Sequence, residues 1–332
     1  MGKQFKWAIV GTGYIANRFA QGMRAVPDAV LSAVVSRHKE SAESFAARYG
    51  CTATYTDYEE MLQNSGIDIV YLGLPNDMHY PYIMTALKQG IPVLSEKPLV
   101  DTVKQTEAVF QMAKEKHLFV MEGMWTRCFP VVKRVRKWLR EGAIGTPMTV
   151  NVSFDIKPDM DDWQPWKAGL LHAGGSLRDV GIYSVAVANM VFPGEPLQVY
   201  SLCHSNGEVD DASRLFIDYG DGKSAYAAGA FNQLGDTTAR ITGSEGRISF
   251  GPEFWDPSAA FLERNDGTTE QFTLPFEETG FQYEIMAVQE ALRNGQLECA
   301  DFTHDESRII AKIIEDARKS WGIRYPADAE TK

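Results

Sequence analysis

Five apolar runs of strand length are threaded through the first third of the chain: Lys6–Val10, Val30–Ser36, Asp68–Leu74, Pro92–Glu96 and Phe119–Glu122. A strand with one wet face alternates apolar and polar residues, so runs without alternation belong to strands covered on both faces. Segments of helical periodicity separate them, near Tyr14–Ala25, Lys39–Tyr49, Tyr58–Asn64, His79–Gln89 and Thr102–Lys116. Strands joined through helices run parallel, so residues 1–123 are expected to form a doubly wound α/β sheet.

After a helical segment around Val131–Glu141 the rhythm changes. Alternating stretches now dominate, at Met148–Ile156, Leu197–Leu202, Arg214–Tyr219, Ser224–Asn232 and Thr237–Phe250, linked by Gly, Asp and Asn turns. They predict an α+β domain with a large, mainly antiparallel sheet over residues 124–332. Helical segments at Gly280–Asn294 and Thr303–Trp321 close the chain, the last a candidate to pack back on the first domain. A length of 332 residues accommodates two cores.

Charge narrows the partners. The chain carries 33 basic and 44 acidic residues, a formal −11, with no basic run. Phosphate backbones and anionic membranes would be repelled, so neither nucleic acid nor membrane is an expected partner. The weakly polar stretch from Gly181 to Phe192 is too short to cross a bilayer. The opening MGKQFKWAIVG lacks a signal-peptide layout, and Lys6 stands where a myristoylation motif needs Ser or Thr. Cys51, Cys128, Cys203 and Cys299 form no CxxC pair, which fits reduced thiols in a cytoplasmic protein. The six histidines make no HxxxH pair or His/Cys cluster, so no metal site is expected.

The first strand runs into Gly11-Thr12-Gly13-Tyr14-Ile15-Ala16, a G-x-G-x-x-A turn opening a helix. Gly11 permits the tight turn, Gly13 lets the backbone approach a pyrophosphate, and Ala16 allows close helix–sheet packing. The free N–H groups of the helix start then face phosphate. An NAD site usually ends the next strand with an acid that binds the ribose 2′-hydroxyl. Here that strand ends in Val35-Ser36-Arg37, with no acid, and Ser36 and Arg37 suit a 2′-phosphate. NADP is therefore the expected cofactor, with NAD the weaker reading.

Two further strand ends carry chemistry. One reads Leu74-Pro75-Asn76-Asp77-Met78-His79, the other Ser95-Glu96-Lys97-Pro98. In a doubly wound sheet these carboxyl ends face the cofactor crevice. With Gly11-x-Gly13, Asn76-x-x-His79 and Glu96-Lys97-Pro98, the chain resembles the glucose–fructose oxidoreductase/inositol dehydrogenase superfamily. The resemblance continues through Trp125-Thr126-Arg127-Cys128-Phe129-Pro130, Gly174 to Tyr183, and Gly280-Phe281-Gln282-Tyr283-Glu284. It implies that Lys97 is the active-site lysine and Asp179 the aspartate of a D-x-G-x-H/Y element. Tyr183 stands where inositol dehydrogenase-like members have His, as in the branch of dimeric dihydrodiol dehydrogenases and NADP-dependent xylose dehydrogenases. It also implies a cis Lys97–Pro98 peptide and cofactor contacts from Pro75, Asn76, His79, Glu96, Trp125 and Arg127. Ala173 departs from the pattern, which has a third glycine there.

The residues support an acid–base role directly. A free tyrosine titrates near about 10 and is a poor base at neutral pH. An ammonium nearby favours the phenolate, so a Lys97–Tyr183 pair would work near pH 7, with Asp179 orienting Lys97 and the substrate hydroxyl. The plainer reading of Tyr183 is a core tyrosine, since Ile182, Val185 and Val187 surround it with apolar residues. Loop tryptophans are costly to leave in water, so Trp125, Trp163, Trp166 and Trp255, with Phe154, are expected to line a substrate surface beside Asp179 and Tyr183. Sugars would stack on indoles while Asp161, Asp162 or Lys167 bonds their hydroxyls, and aromatic dihydrodiols or dicarbonyls would use the apolar walls. A catalytically silent dinucleotide-binding regulator is the reading from another class. In Ser224–Asn232 both faces are apolar, which predicts a homodimer through the second domain's sheet.

Overall fold

A computed structural model describes residues 3–158, 165–274 and 278–331. Asp161, Asp162, Trp163 and the side chain of Trp166 lie outside the described residues. The chain forms two compact units, one of Met1–Val100, Lys104–Cys128 and Phe276–His304, the other of Asp101–Val103, Phe129–Pro275 and Asp305–Lys332.

The first unit is the doubly wound sheet. Its strands β1 (Phe5–Val10), β2 (Ala29–Val35), β3 (Ala53–Tyr55), β4 (Ile69–Leu72), β5 (Val93–Glu96) and β6 (Val120–Gly123) are ordered β3-β2-β1-β4-β5-β6, with every pair parallel. Helices α1 (Tyr14–Met23), α2 (Lys39–Tyr49), α3 (Tyr58–Asn64), α4 (Asn76–Lys88) and α5 (Val103–Lys116) alternate with them. Trp7, Ala8 and Ile9 are fully buried, as a central strand without alternation requires. Strand β3 was not foreseen, because three residues, none of them buried, carry no readable period. Helix α4 begins at Asn76 rather than His79, with Pro75 extended as its N-cap.

Beyond the expected border near residue 123, this unit has further members. It also takes the short helix Trp125–Cys128 and helix α8 (Phe281–Arg293). Phe281 presses on α1 at Gly22, where an added Cβ would lie 2.9 Å from the Cβ of Phe281. Phe19 of α1 stacks on Tyr71 at 3.7 Å and meets Phe281 edge-on. Aromatic packing by residues distant in sequence, rather than chain continuity, draws α8 here.

In the second unit, helix α6 (Pro130–Arg140) precedes an eight-stranded sheet: β7 (Pro147–Asp155), β8 (Gln198–Ser205), β9 (Asp210–Gly220), β10 (Lys223–Ala230), β11 (Ala239–Gly243), β12 (Gly246–Phe250), β13 (Ala259–Arg264) and β14 (Thr269–Thr273). The order is β14-β13-β12-β11-β7-β10-β9-β8. Only β7 and β10 pair parallel. Helices α6 and α7 (Ile182–Val191) pack on the sheet. The stretch expected as one strand over Thr237–Phe250 is a hairpin that turns at Ser244-Glu245 and pairs Ile241 with Ile248. The last helix, α9 (His304–Ser320), belongs here after its first residue rather than to the first unit. Its buried Arg318 explains why, bonding Asp328 at 2.6 and 2.9 Å and the Asp101 carbonyl at 3.4 Å. A buried guanidinium costs several kcal/mol unless so paired. Among the described residues no helix is long and apolar enough to cross a membrane.

Candidate active site

The glycine turn has the geometry its sequence demands. Gly11 sits at φ +95°, and a Cβ there would lie 2.6 Å from the Gly73 carbonyl oxygen, so only glycine fits. An added Cβ on Gly13 would instead meet nothing within 4 Å. Among the described residues, no atom crowds that glycine. Helix α1 starts there without a side-chain cap and without an acid in its first turn. Its leading N–H groups thus receive no bond from a capping side chain. Ile15 and Ala16 explain the close packing, lying 3.3 and 3.5 Å from where a Cβ of Gly73 would stand. Tyr14 is exposed.

At the end of β2, the Ser36 hydroxyl accepts from Thr12 at 3.5 Å, tying that strand end to the glycine turn. Arg37 is exposed and makes no ion pair among the described residues. Such a guanidinium is available to a phosphate, whereas a 2′-hydroxyl site would need an acid here.

The ends of β4 and β5 are clamped together. His79 is buried, and its two ring nitrogens lie 2.9 Å from the Pro98 and Leu74 carbonyl oxygens. Pro75 and Asn76 begin α4 beside that clamp. The Lys97–Pro98 peptide is cis. Glu96 is buried, accepting from the Tyr71 hydroxyl at 2.7 Å and from the Lys97 amide at 3.3 Å. Glu122 of the neighbouring strand accepts the Leu99 amide at 2.9 Å. Lys97 itself is partly exposed at the tip of this rigid turn. Trp125 is buried, stacked on Phe281 at 4.7 Å with the Arg18 guanidinium over its ring. Arg127 is buried too, donating to the Asp301 carbonyl at 3.4 Å and lying over Phe302.

The second unit brings together its own group. One π-helical turn, Leu177–Gly181, runs into α7 and carries Asp179 next to Tyr183. Its start is pinned by buried Asp210, whose carboxylate accepts from the Ser176 hydroxyl at 2.6 Å and the Leu177 amide at 2.7 Å. Burial pushes the Asp210 carboxyl up, and those two bonds oppose it. Gly229 of β10 lets the turn sit directly on the sheet, since a Cβ there would lie 2.6 Å from Gly181 backbone. Upstream, Ala173 adopts φ +50° and Gly175 φ +121°. The left-handed backbone at Ala173 explains why a glycine is the usual occupant, and alanine tolerates it at a cost of about 1–2 kcal/mol.

Asp179 is half-buried and accepts from Lys167 at 3.0 Å. The Tyr183 ring lies 5.8 Å from that of Phe154, which stacks on Trp255 at 3.8 Å. Thus Tyr183, Phe154 and Trp255, named from distant stretches of sequence, group in space, with Asp179 four residues before Tyr183 in the chain. The Lys167–Asp179 pair was not read from sequence, and nothing in the local pattern marks it. The meeting of Cys128, Cys299 and Asp301 was likewise missed, though their sulfurs and a carboxylate oxygen lie within 4.8 Å of one another.

The chain is similar to known oxidoreductases over nearly its whole length. The human trans-1,2-dihydrobenzene-1,2-diol dehydrogenase is 29% identical over 337 residues, covering 97% of this chain and 98% of that protein. The Xenopus tropicalis protein of the same name is 28% identical, covering 97% and 99%. Among solved structures, KijD10, a 3-ketoreductase from Actinomadura kijaniata in complex with NADP and TDP-benzene, matches with a TM-score of 0.83 and 27% identity, covering 96% of this chain and 98% of that one. Residues 5–124 match the profile of the GFO_IDH_MocA oxidoreductase family, NAD-binding Rossmann fold, and residues 132–249 match the GFO/IDH/MocA C-terminal domain. With both of its domains matched in order, the chain belongs to the GFO/IDH/MocA family of oxidoreductases.

Proposed function

We propose that the protein is an NADP-dependent oxidoreductase that moves a hydride between the nicotinamide and a CH–OH carbon of a sugar or polyol-like substrate. The observation that carries this reading is the group in the second unit: the Tyr183 phenol beside the stacked Phe154 and Trp255, with the Lys167–Asp179 pair on the preceding turn. Bound NADP would supply the hydride acceptor, and in reduction the donor. The 2′-phosphate would be held by Ser36 and Arg37, and the pyrophosphate by the turn at Gly11 and Gly13 and the start of α1. Tyr183 takes the hydroxyl proton at its phenolic oxygen in oxidation and returns it in reduction. Lys97 supplies the positive charge that a phenolate needs at neutral pH. Asp179, held by Lys167, accepts from a substrate hydroxyl, while Trp255 and Phe154 offer aromatic faces to sugar C–H bonds. The four unpaired cysteines support a cytoplasmic location.

A second reading, a dehydrogenase of cyclic trans-diols, is favoured by the apolar Phe154–Trp255 stack and by the names of the human and frog relatives. Following NADPH absorbance across aldoses, polyols and cyclic trans-diols separates the two. The expected result is turnover of an aldose such as xylose or glucose. Trp255→Ala is expected to raise KM roughly twofold to tenfold, the worth of about 0.5–1.5 kcal/mol of aromatic contact. Turnover of trans-diols with no activity on any aldose or ketose reverses the ranking. NADP binding without turnover of any alcohol or carbonyl would favour the silent regulator.

We also propose a two-fold dimer through the large sheet. Ala228 and Ala230 of β10 are buried within the chain itself, so the apolar face left for a partner is smaller than the sequence implied. What stays exposed is a row across three strands. Tyr200 pairs with Phe216 and Phe216 with Tyr226, at 62, 50 and 36% exposure. Leu202, two residues along β8 from Tyr200, is also exposed. Aromatic side chains lined up across a sheet mark an association surface. Light scattering is expected to give twice the 37.0 kDa chain mass, and Phe216→Glu to shift it towards one chain. A monomer mass for the unmodified protein across the micromolar range contradicts the dimer.

A further inference from the structure

Two of the four cysteines meet inside the first unit. Cys128 closes the short helix Trp125–Cys128, and Cys299 lies in the loop that follows α8. Both are buried, at 1% and 3% exposure. Their sulfurs and a carboxylate oxygen of Asp301 all lie within 4.8 Å of one another. The Cys128 thiol hydrogen-bonds the Cys299 sulfur, which also accepts from the backbone N–H of Asp301, while the Phe302 N–H donates to the Cys299 carbonyl oxygen at 3.2 Å. The turn is tight, closed by a bridge between Cys299 and Phe302.

Two donors therefore converge on one sulfur. A thiolate gains from each of them, whereas a protonated thiol has its own hydrogen to place. The bond from Cys128 accordingly pushes the Cys299 thiol down, against the upward pull of burial. The same bond pushes Cys128 up, and burial adds to it. Cys51 and Cys203 are both pushed up by burial, and neither has a thiol neighbour. The pair thus combines a prepared nucleophile with a resolving thiol. A thiophilic cation would find donors in the same place. Against that, the Arg127 guanidinium already lies there, with Nε on the Asp301 carbonyl. The Asp301 carboxylate opposes the thiolate, as burial does, and the bond from Cys128 leads the effects that outweigh them.

We infer that Cys128 and Cys299 form a redox-active dithiol that a hydroperoxide closes to an intrachain disulfide. The Cys299 thiolate attacks the peroxide oxygen, an S–O bond forms, and the O–O bond breaks. The departing oxygen takes a solvent proton and leaves as water or an alcohol. The Cys128 sulfur then attacks the Cys299 sulfenic acid, the S–S bond forms and the S–O bond breaks. The Cys128 proton leaves with that oxygen as water. Two thiols lose two electrons, and the peroxide gains them. The bond would staple the stretch from which the chain exits this unit after Cys128 to the stretch from which it exits after His304.

The test uses the full-length, reduced protein in a chelator-containing buffer, titrated with hydrogen peroxide. The expected result is an intact mass lower by two hydrogens and a single linked peptide pair containing Cys128 and Cys299. Cys51 and Cys203 should remain open to alkylation, reacting on the order of tenfold more slowly or worse. Cys128→Ser should leave Cys299 as a sulfenic acid that dimedone traps, while Cys299→Ser should leave Cys128 unreactive. Two thiols that merely pack together would not show this asymmetry. If either variant fails to fold, peptide mapping of the unmodified protein decides alone. The inference is overturned if Cys128 and Cys299 stay reduced at doses that oxidise Cys51 or Cys203. It is overturned equally if the purified chain holds a stoichiometric metal on this pair.

Discussion

Tyr183→Phe is expected to lower kcat by about 10²–10⁴, the usual worth of a positioned acid–base group, and to leave NADP binding nearly unchanged. The substitution removes one oxygen and keeps the ring that packs 5.8 Å from Phe154, so the loss reports chemistry rather than folding. Lys97→Met should lower kcat by a similar factor, because an unassisted phenol holds its proton at neutral pH. Its residual activity should climb as pH rises towards about 10, where tyrosine ionises unaided. If both residues serve one proton transfer, the double variant loses little more than either single one. Full multiplication of the two losses would mean that they act independently. A Tyr183→Phe enzyme with unchanged kcat removes Tyr183 from the mechanism.

Arg37→Ala is expected to weaken NADP binding roughly tenfold to a hundredfold, since a charge-assisted hydrogen bond is worth about 1.5–3 kcal/mol. NAD affinity should hardly move. The exposed guanidinium has no ion pair among the described residues to break, so the substitution costs the fold little. Because the contact is exposed, the preference for NADP should shrink as salt is added. Titrating both dinucleotides into the parent protein and the variant checks this. Equal affinities in the parent protein would reject the assignment of Arg37 to the 2′-phosphate.

Much of the first unit was legible because its signals are local. A strand buried on both faces shows as an unbroken apolar run, and β1, β2, β4, β5 and β6 were each found to within two residues at either end. The turn at Gly11 was legible for a stereochemical reason, since φ +95° beside a carbonyl oxygen at 2.6 Å admits no side chain. Strand β3 escaped because three residues cannot display a period, and the hairpin at Ser244-Glu245 because alternation continues across it. Strands β13 and β14 were also unforeseen.

The sequence by itself determined the fold class, the glycine turn, the absence of an acid at Arg37, and the residue types available for acid–base work. Periodicity and backbone stereochemistry write those into neighbouring residues. Only the folded chain decided that α8 returns to the first unit, that Lys167 holds Asp179, that Trp255 stacks on Phe154, and that Cys299 meets Cys128. Each of these joins residues whose separation along the chain carries no signal of contact. Such contacts are set by how whole elements pack, and a core selects its partners by shape and buried area rather than by any local pattern.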